Sequence, residues 1–202
     1  MPLPTIIDIS RPLAPDTAVF PGDVPFSRLW TLQMEAGDSC NVSEIRGSSH
    51  AGTHVDLPYH FGFEVEEPSL EAFVGPAVVI EVNDWAALSD LTIPMSRRVL
   101  FKTRNSRTES TRFDAEFDCL PPTATDWLIE NKAVLVGVDG PSVDPVDSKE
   151  LDNHKRLASA GIAVLENLDL TRAEPGEYDL IALPLKVPGA DATWVRAVLL
   201  KS

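Results

Sequence analysis

Residues 49–61 read Ser49-His50-Ala51-Gly52-Thr53-His54-Val55-Asp56-Leu57-Pro58-Tyr59-His60-Phe61. Three of the chain's four histidines and one aspartate fall within eleven residues of this stretch. In an extended segment side chains alternate between faces, so His50, His54, Asp56 and His60, which share parity, lean to one side. Gly52 and Pro58 exclude a regular helix through the whole segment and favour an extended or turned path. Imidazole nitrogens and a carboxylate converging on one point are the donor set of Zn²⁺ or a similar divalent ion. A lone histidine is more often a surface or hydrogen-bonded core residue, whereas a cluster this dense marks a metal or catalytic site. A structural zinc site is closed by four ligands, often cysteines, and neither Cys40 nor Cys119 lies nearby in sequence. A His/carboxylate set with a position open for water points instead to catalysis.

Outward from this segment, short strands alternate with a few helices, and no internal repeat is present. Upstream, residues 6–9, 26–34 and 42–46 read as strands, with Pro12, Pro15, Pro21 and Gly22 breaking the first interval into turns. Downstream, residues 76–82, 98–101 and 133–138 are apolar runs of the kind buried on both faces of a sheet. Residues 126–131 predict a short helix, and the polar stretch 103–118 predicts a long surface loop. The clearest helix covers residues 148–160: Asp147 three positions before Glu150 resembles a capping box, and Gly161 is a stop. Leu151, His154, Leu157 and Ala158 share one face of it, so His154 points with the core residues. Residues 162–165 form an apolar strand that ends in Glu166, and residues 178–183 and 194–200 supply the last strands. The alternation predicts a single α/β domain over residues 1–202 with a mixed sheet.

His154 and Glu166 are polar groups in apolar contexts. Singly, each reads as a satisfied buried polar residue. Together they can supply a second ion, with Asp56 as a bridging carboxylate. Spacing alone leaves both readings open.

Composition excludes several alternatives. The 202 residues carry 17 Lys and Arg against 31 Asp and Glu, a net charge of −14, which speaks against a nucleic-acid backbone as partner. Hydrophobic content of 44% and charged content of 24% argue against disorder. No stretch approaches the roughly 20 apolar residues of a membrane span, and the first residues lack the basic and apolar regions of a signal segment. Cys40 and Cys119 form no C-x-x-C pair, which fits reduced thiols and a cytoplasmic protein, although one bridge stays open. There is no G-x-G-x-x-G or P-loop pattern. Gly47-Ser48-Ser49-His50-Ala51 lacks the final glycine of a nucleophile elbow, and Trp30, Trp85, Trp127 and Trp194 are scattered as packing residues are.

The segment from His50 to His60 matches H-x-G-T-H-x-D-x-P-x-H, and through it the chain resembles the metal-dependent cyclase family over nearly its whole length. Other matching pieces are Asp8-Ile9-Ser10, Phe20-Pro21-Gly22-Asp23, Val138-Asp139-Gly140-Pro141-Ser142-Val143-Asp144-Pro145 with Asp147-Ser148-Lys149, His154, Glu166, and Ile181-Ala182-Leu183-Pro184-Leu185-Lys186. The stretch Pro141 to Pro145 and the His154–Glu166 spacing are similar to the family's formamidase branch rather than to its isatin hydrolases. The resemblance implies a compact α/β domain around a barrel-like mixed sheet with flanking helices, usually a homodimer. It implies hydrolysis of a small aromatic formamide, N-formyl-L-kynurenine, to L-kynurenine and formate in tryptophan degradation. It further implies two divalent ions, Zn²⁺ or alternatively Mn²⁺. His50, His54 and Asp56 would hold the first; Asp56 would bridge to a second held by His154 and Glu166; His60 would be the acid/base. Phe20 stands where the family usually has a tryptophan against the substrate ring, and Gly140 replaces a usual threonine. Two other readings of the same residues are an isatin-hydrolase-like amide hydrolase and a non-catalytic module binding metal or an aromatic ligand.

Overall fold

A computed structural model describes residues 4–63, 67–90 and 97–201. Met1, Pro2 and Leu3, part of the stretch read for a signal segment, lie outside the described residues. The strands are β1 (Thr5–Asp8), β2 (Ser27–Leu32), β3 (Val42–Arg46), β4 (His54–Asp56), β5 (Val74–Glu81), β6 (Arg98–Lys102), β7 (Leu135–Val138), β8 (Ala163–Glu166), β9 (Gly176–Ile181), β10 (Ala192–Trp194) and β11 (Val198–Lys201). Two α-helices, α1 (Pro122–Glu130) and α2 (Asp152–Ser159), and several 3₁₀ turns join them. Nine strands form one mixed sheet in the order β1-β11-β9-β5-β6-β7-β8-β4-β10, and β2 and β3 pair apart from it as a hairpin.

The apolar runs become the sheet's centre. β5 to β8 pair in parallel, which requires crossovers between them, and α1 and α2 are the crossovers on either side of β7. The flanking pairs are antiparallel. β10 and β11 are separated only by residues 195–197 yet join opposite ends of the strand order, so the sheet must curl toward closure. The bridge between Ser10, just past β1, and Leu168, just past β8, spans the same curl.

Strand alternation sorts the core into two. Inside the curl lie Val55, Phe73, Val79, Leu100, Leu135, Leu165, Leu180 and Leu199. Between the sheet's other face and the helices lie Val78, Val99, Phe101, Val136 and Val164, packed on Ala124, Trp127, Leu128 and Leu157. Fully burying such side chains contributes about 1.5–3 kcal/mol each.

Three expectations change. First, α2 starts at Asp152, not at 148, and has no capping box: Leu151 is left-handed at φ 52°, and no N-cap side chain bonds the helix. The first amides go instead to Asp144, which accepts from the N–H of Asn153 and His154. The predicted stop holds, because Gly161 has φ +71° and the amides of Gly161 and Ile162 close back on Ala158 and Leu157. Second, residues 194–200 are two strands rather than one, since the two halves serve opposite ends of the curled sheet. Third, residues 103–118 are not merely a surface loop. The Asp139 carboxylate accepts hydrogen bonds from the backbone and hydroxyl groups of both Thr103 and Ser106, all buried.

Cys40 and Cys119 are both free thiols. Among the described residues no helix is long and apolar enough to cross a membrane. The β2–β3 hairpin leaves Leu29, Trp30, Leu32, Val42 and Ile45 exposed.

Candidate metal centre

β4 runs between β8 and β10, with His54 opposite Glu166 and Asp56 opposite Val164. Val55 points into the curl, so His54 and Asp56 face the helix side, as does Glu166 beyond Leu165. α2 packs on that side and brings His154 to the same place. His50 lies in the turn before β4, and His60 sits in the 3₁₀ turn Pro58–Phe61. The extended parity therefore holds only for His54 and Asp56. His50 and His60 arrive by turns at Gly52 (φ +63°) and Pro58, which bend the segment around the carboxylate.

The ring nitrogens converge on two carboxylates. His54 donates from Nδ1 to the Gly52 carbonyl (2.9 Å), leaving Nε2 3.3 Å from Asp56 Oδ1 and 3.4 Å from Glu166 Oε2. His154 Nδ1 lies 2.7 Å from Asp144 Oδ2, while Nε2 is 3.0 Å from Asp56 Oδ2 and 3.3 Å from Glu166 Oε1. His50 places Nδ1 3.1 Å from Asp56 Oδ1 and Nε2 3.3 Å from Asp191 Oδ2. The His60 ring centroid is 4.2 Å from that of His50 and 5.7 Å from that of His154.

Asp56 Oδ1 tests whether these residues suit a cation. It is buried and accepts no hydrogen bond, although two imidazole nitrogens stand within 3.3 Å. A buried carboxylate oxygen costs free energy unless something compensates it. An ion answers that need, and the N/O donors are those of Zn²⁺ or Mn²⁺. Among the described residues two groupings have donor atoms within 4.8 Å of one another, His50, Asp56 and His60, and His54, Asp56 and Glu166, so His60 rather than His54 stands with His50, and His154 falls in neither. Asp56 belongs to both, as a bridging carboxylate would. His60 lies within reach of an ion as well as of a substrate.

The electrostatics agree. Burial would push the His54 imidazole down, but Asp56 and Glu166 beside it win and lift it to about 10. For His154 burial again pushes down, but Asp144, Asp56 and Glu166 overcome it and raise the imidazole well above its ordinary value. Asp56 is held well below the usual carboxylate range by His154, His50 and His54 against its burial. The same field that attracts protons here attracts a divalent cation. His60 differs: burial outweighs the nearby carboxylates and pushes it down.

His60, His154 and Glu166 line a cleft of about 220 Å³ with Phe20 and Phe113 on its wall. The volume exceeds the roughly 150 Å³ that holds a benzene ring. Phe20 packs edge-on against Phe113, centroids 5.3 Å apart. Phe113 was not legible as a site residue, because residues 103–118 carry no apolar periodicity. Asp144 and Asp191, which back His154 and His50, were also missed; carboxylates beside imidazoles are common behind ligand histidines and are the signal that could have found them. Gly140 now has a reason: a Cβ there would meet Asn105 Nδ2 at 2.7 Å and the Asp118 carbonyl at 3.2 Å.

Residues 7–145 match the family model described as "Putative cyclase". The chain belongs to the cyclase family. A family relative named kynurenine formamidase, from Salinibacter ruber, is 42% identical over 204 residues, covering 96% of each chain. Among solved cyclase-family structures, a potential metal-dependent hydrolase with cyclase activity matches with TM-score 0.83 and 29% identity over 98% of both chains. Isatin hydrolase A from Labrenzia aggregata matches with TM-score 0.84 and 25% identity, over 98% of this chain and 93% of that one.

Proposed function

We propose that this chain hydrolyses N-formyl-L-kynurenine to L-kynurenine and formate as a single domain over residues 1–202. The observation that carries the reading is that Glu166 and His154, which meet His54 and Asp56, line an aromatic-walled cleft together with His50 and His60. Its likeness to the Salinibacter ruber enzyme supports the substrate.

His50, His54 and Asp56 would hold one ion, and Asp56, His154 and Glu166 a second, Zn²⁺ in this reading. Ions held there supply Lewis acidity toward water and the formyl carbonyl. Phe20 and Phe113 flank the aryl ring and orient the amide toward the floor. His60 takes the proton of the attacking water as the new C–O bond forms. When the C–N bond breaks, its electron pair returns to the aniline nitrogen, and His60 delivers the proton there. Without that proton an anilide anion would have to leave, which is slow at neutral pH.

The homodimer belongs to the same reading. An isolated two-stranded hairpin is marginal in water, and β2–β3 exposes apolar side chains on both strands. A second copy is the partner this arm suits, and light scattering of wild type against Leu29→Asp tests it. The free thiols of Cys40 and Cys119 suit a reducing cytoplasm.

The deciding experiment assays formylkynurenine turnover with and without a chelator, beside isatin. Chelator-sensitive turnover of formylkynurenine supports the reading. Turnover of isatin alone would favour the isatin-hydrolase relationship, for which the TM-score of 0.84 speaks. Metal binding without turnover of either would leave a binding module.

A further inference from the structure

Residues 142–144 lie in a bend between β7 and α2, and two neighbours in it touch two candidate ligands. The Val143 N–H donates to Glu166 Oε1 at 2.8 Å. Asp144 Oδ2 accepts from His154 Nδ1 at 2.7 Å and from the His154 backbone N–H at 3.2 Å. Asp144 Oδ1 takes the Asn153 N–H at 3.0 Å. Val143 is fully buried in the helix-side core and Asp144 is 2% exposed, so the bend is fixed from both sides. Asn153 tightens it further by donating to the carbonyls of Leu120 and Val143.

From this geometry we infer that Asp144 is a positioning residue: it holds the His154 proton on Nδ1, so that in the ion-loaded protein Nε2 is the ligand atom aimed between Asp56 and Glu166, and it caps the helix that carries the ring. The tautomer follows from chemistry. A carboxylate has no hydrogen to donate, so the nitrogen facing Asp144 must carry a proton. Nε2 faces Asp56 Oδ2 at 3.0 Å and Glu166 Oε1 at 3.3 Å, the pair that would share an ion with it, so Nε2 is the nitrogen an ion would take in place of a proton. One side chain thus couples the aim of the imidazole to the start of α2. The neighbouring Val143 amide does the corresponding work for Glu166, so one dipeptide aims both groups. The inference rests on His154 as a ligand in the proposed function, and wild-type metal stoichiometry tests that separately.

Asp144→Asn is the informative variant. An amide has one acceptor oxygen, while three N–H donors face Asp144, so Asn cannot satisfy them all. Competition titration with a zinc chelator should show the weaker-bound ion losing about 10- to 100-fold in affinity, with the other ion unchanged. Nitrogen-15 spectra of histidine-labelled holoenzyme should show Nδ1–H for His154 in wild type and loss of that single tautomer in the variant. Lower thermal stability with unchanged metal affinity and tautomer would make Asp144 a helix cap alone and overturn the inference. Should the variant fail to fold, the wild-type spectrum still decides: Nε2–H at His154 overturns it.

Discussion

His54 and Glu166 stand directly opposite each other in β4 and β8, their Nε2 and Oε2 atoms 3.4 Å apart. The register of one strand pair thus sets half of the centre. A slip by one residue would turn His54 and Asp56 into the curl and Val55 toward the helices. The apolar packing of Val55 and Leu165 inside the curl holds the pair in place.

His60 touches the question of ligand against proton carrier. His60→Ala should leave metal per chain near wild type and lower kcat by about 10²- to 10⁴-fold, the usual worth of a general acid/base. Metal analysis beside steady-state kinetics checks it, and loss of metal would make His60 a ligand.

His154→Ala removes a donor 3.0 Å from Asp56 and 3.3 Å from Glu166. Bound metal should fall from two ions per chain to one. An unchanged stoichiometry sinks the two-ion assignment.

Metal removal should reshape the dependence of stability on pH. With its pKa raised from 6.5 to about 10, His54 contributes stability that is full below 6.5 and is lost as pH climbs toward 10. Asp56 and Glu166, lowered from 3.8 and 4.5, contribute stability above those values that is lost on acidification. Chelated protein should therefore be most stable between about 4.5 and 6.5, and its melting temperature should fall on the alkaline side. Restoring Zn²⁺ should flatten that alkaline limb, because the ion displaces the protons.

Gly140→Thr would place a Cβ 2.7 Å from Asn105 Nδ2. That nitrogen is committed to the Asp118 carbonyl at 2.8 Å, so it cannot retreat freely. Overpacking of this kind costs about 1–3 kcal/mol. Thermal denaturation should show the loss, and KM should rise as the 103–118 wall loosens.

Much of this was legible in sequence for physical reasons. The central strands β5 to β8 announced themselves because strands buried on both faces demand contiguous apolar residues. The histidine cluster did so because ion-binding donors are rare elsewhere. What stayed hidden depended on long-range partners. The cap of α2 comes from Asp144, eight residues before its first helical residue, and no local pattern of Asp147 and Glu150 could reveal that. Residues 103–118 looked like solvent-facing chain because Thr103 and Ser106 are anchored by Asp139, a single buried carboxylate more than thirty positions from each. His50 and His60 met the others through turns rather than through strand parity.

The place of β4 in the sheet bears on how the molecule is made. Asp56 meets His154 across 98 residues of chain, and β10, which flanks β4 on its other side, is made later still. During synthesis the ligand strand must therefore wait, edges open, until both neighbours have left the ribosome. Such non-local pairing folds slowly. Ion capture is then a late event in the life of each new chain, and expression in metal-poor medium should yield folded protein that can be charged afterwards.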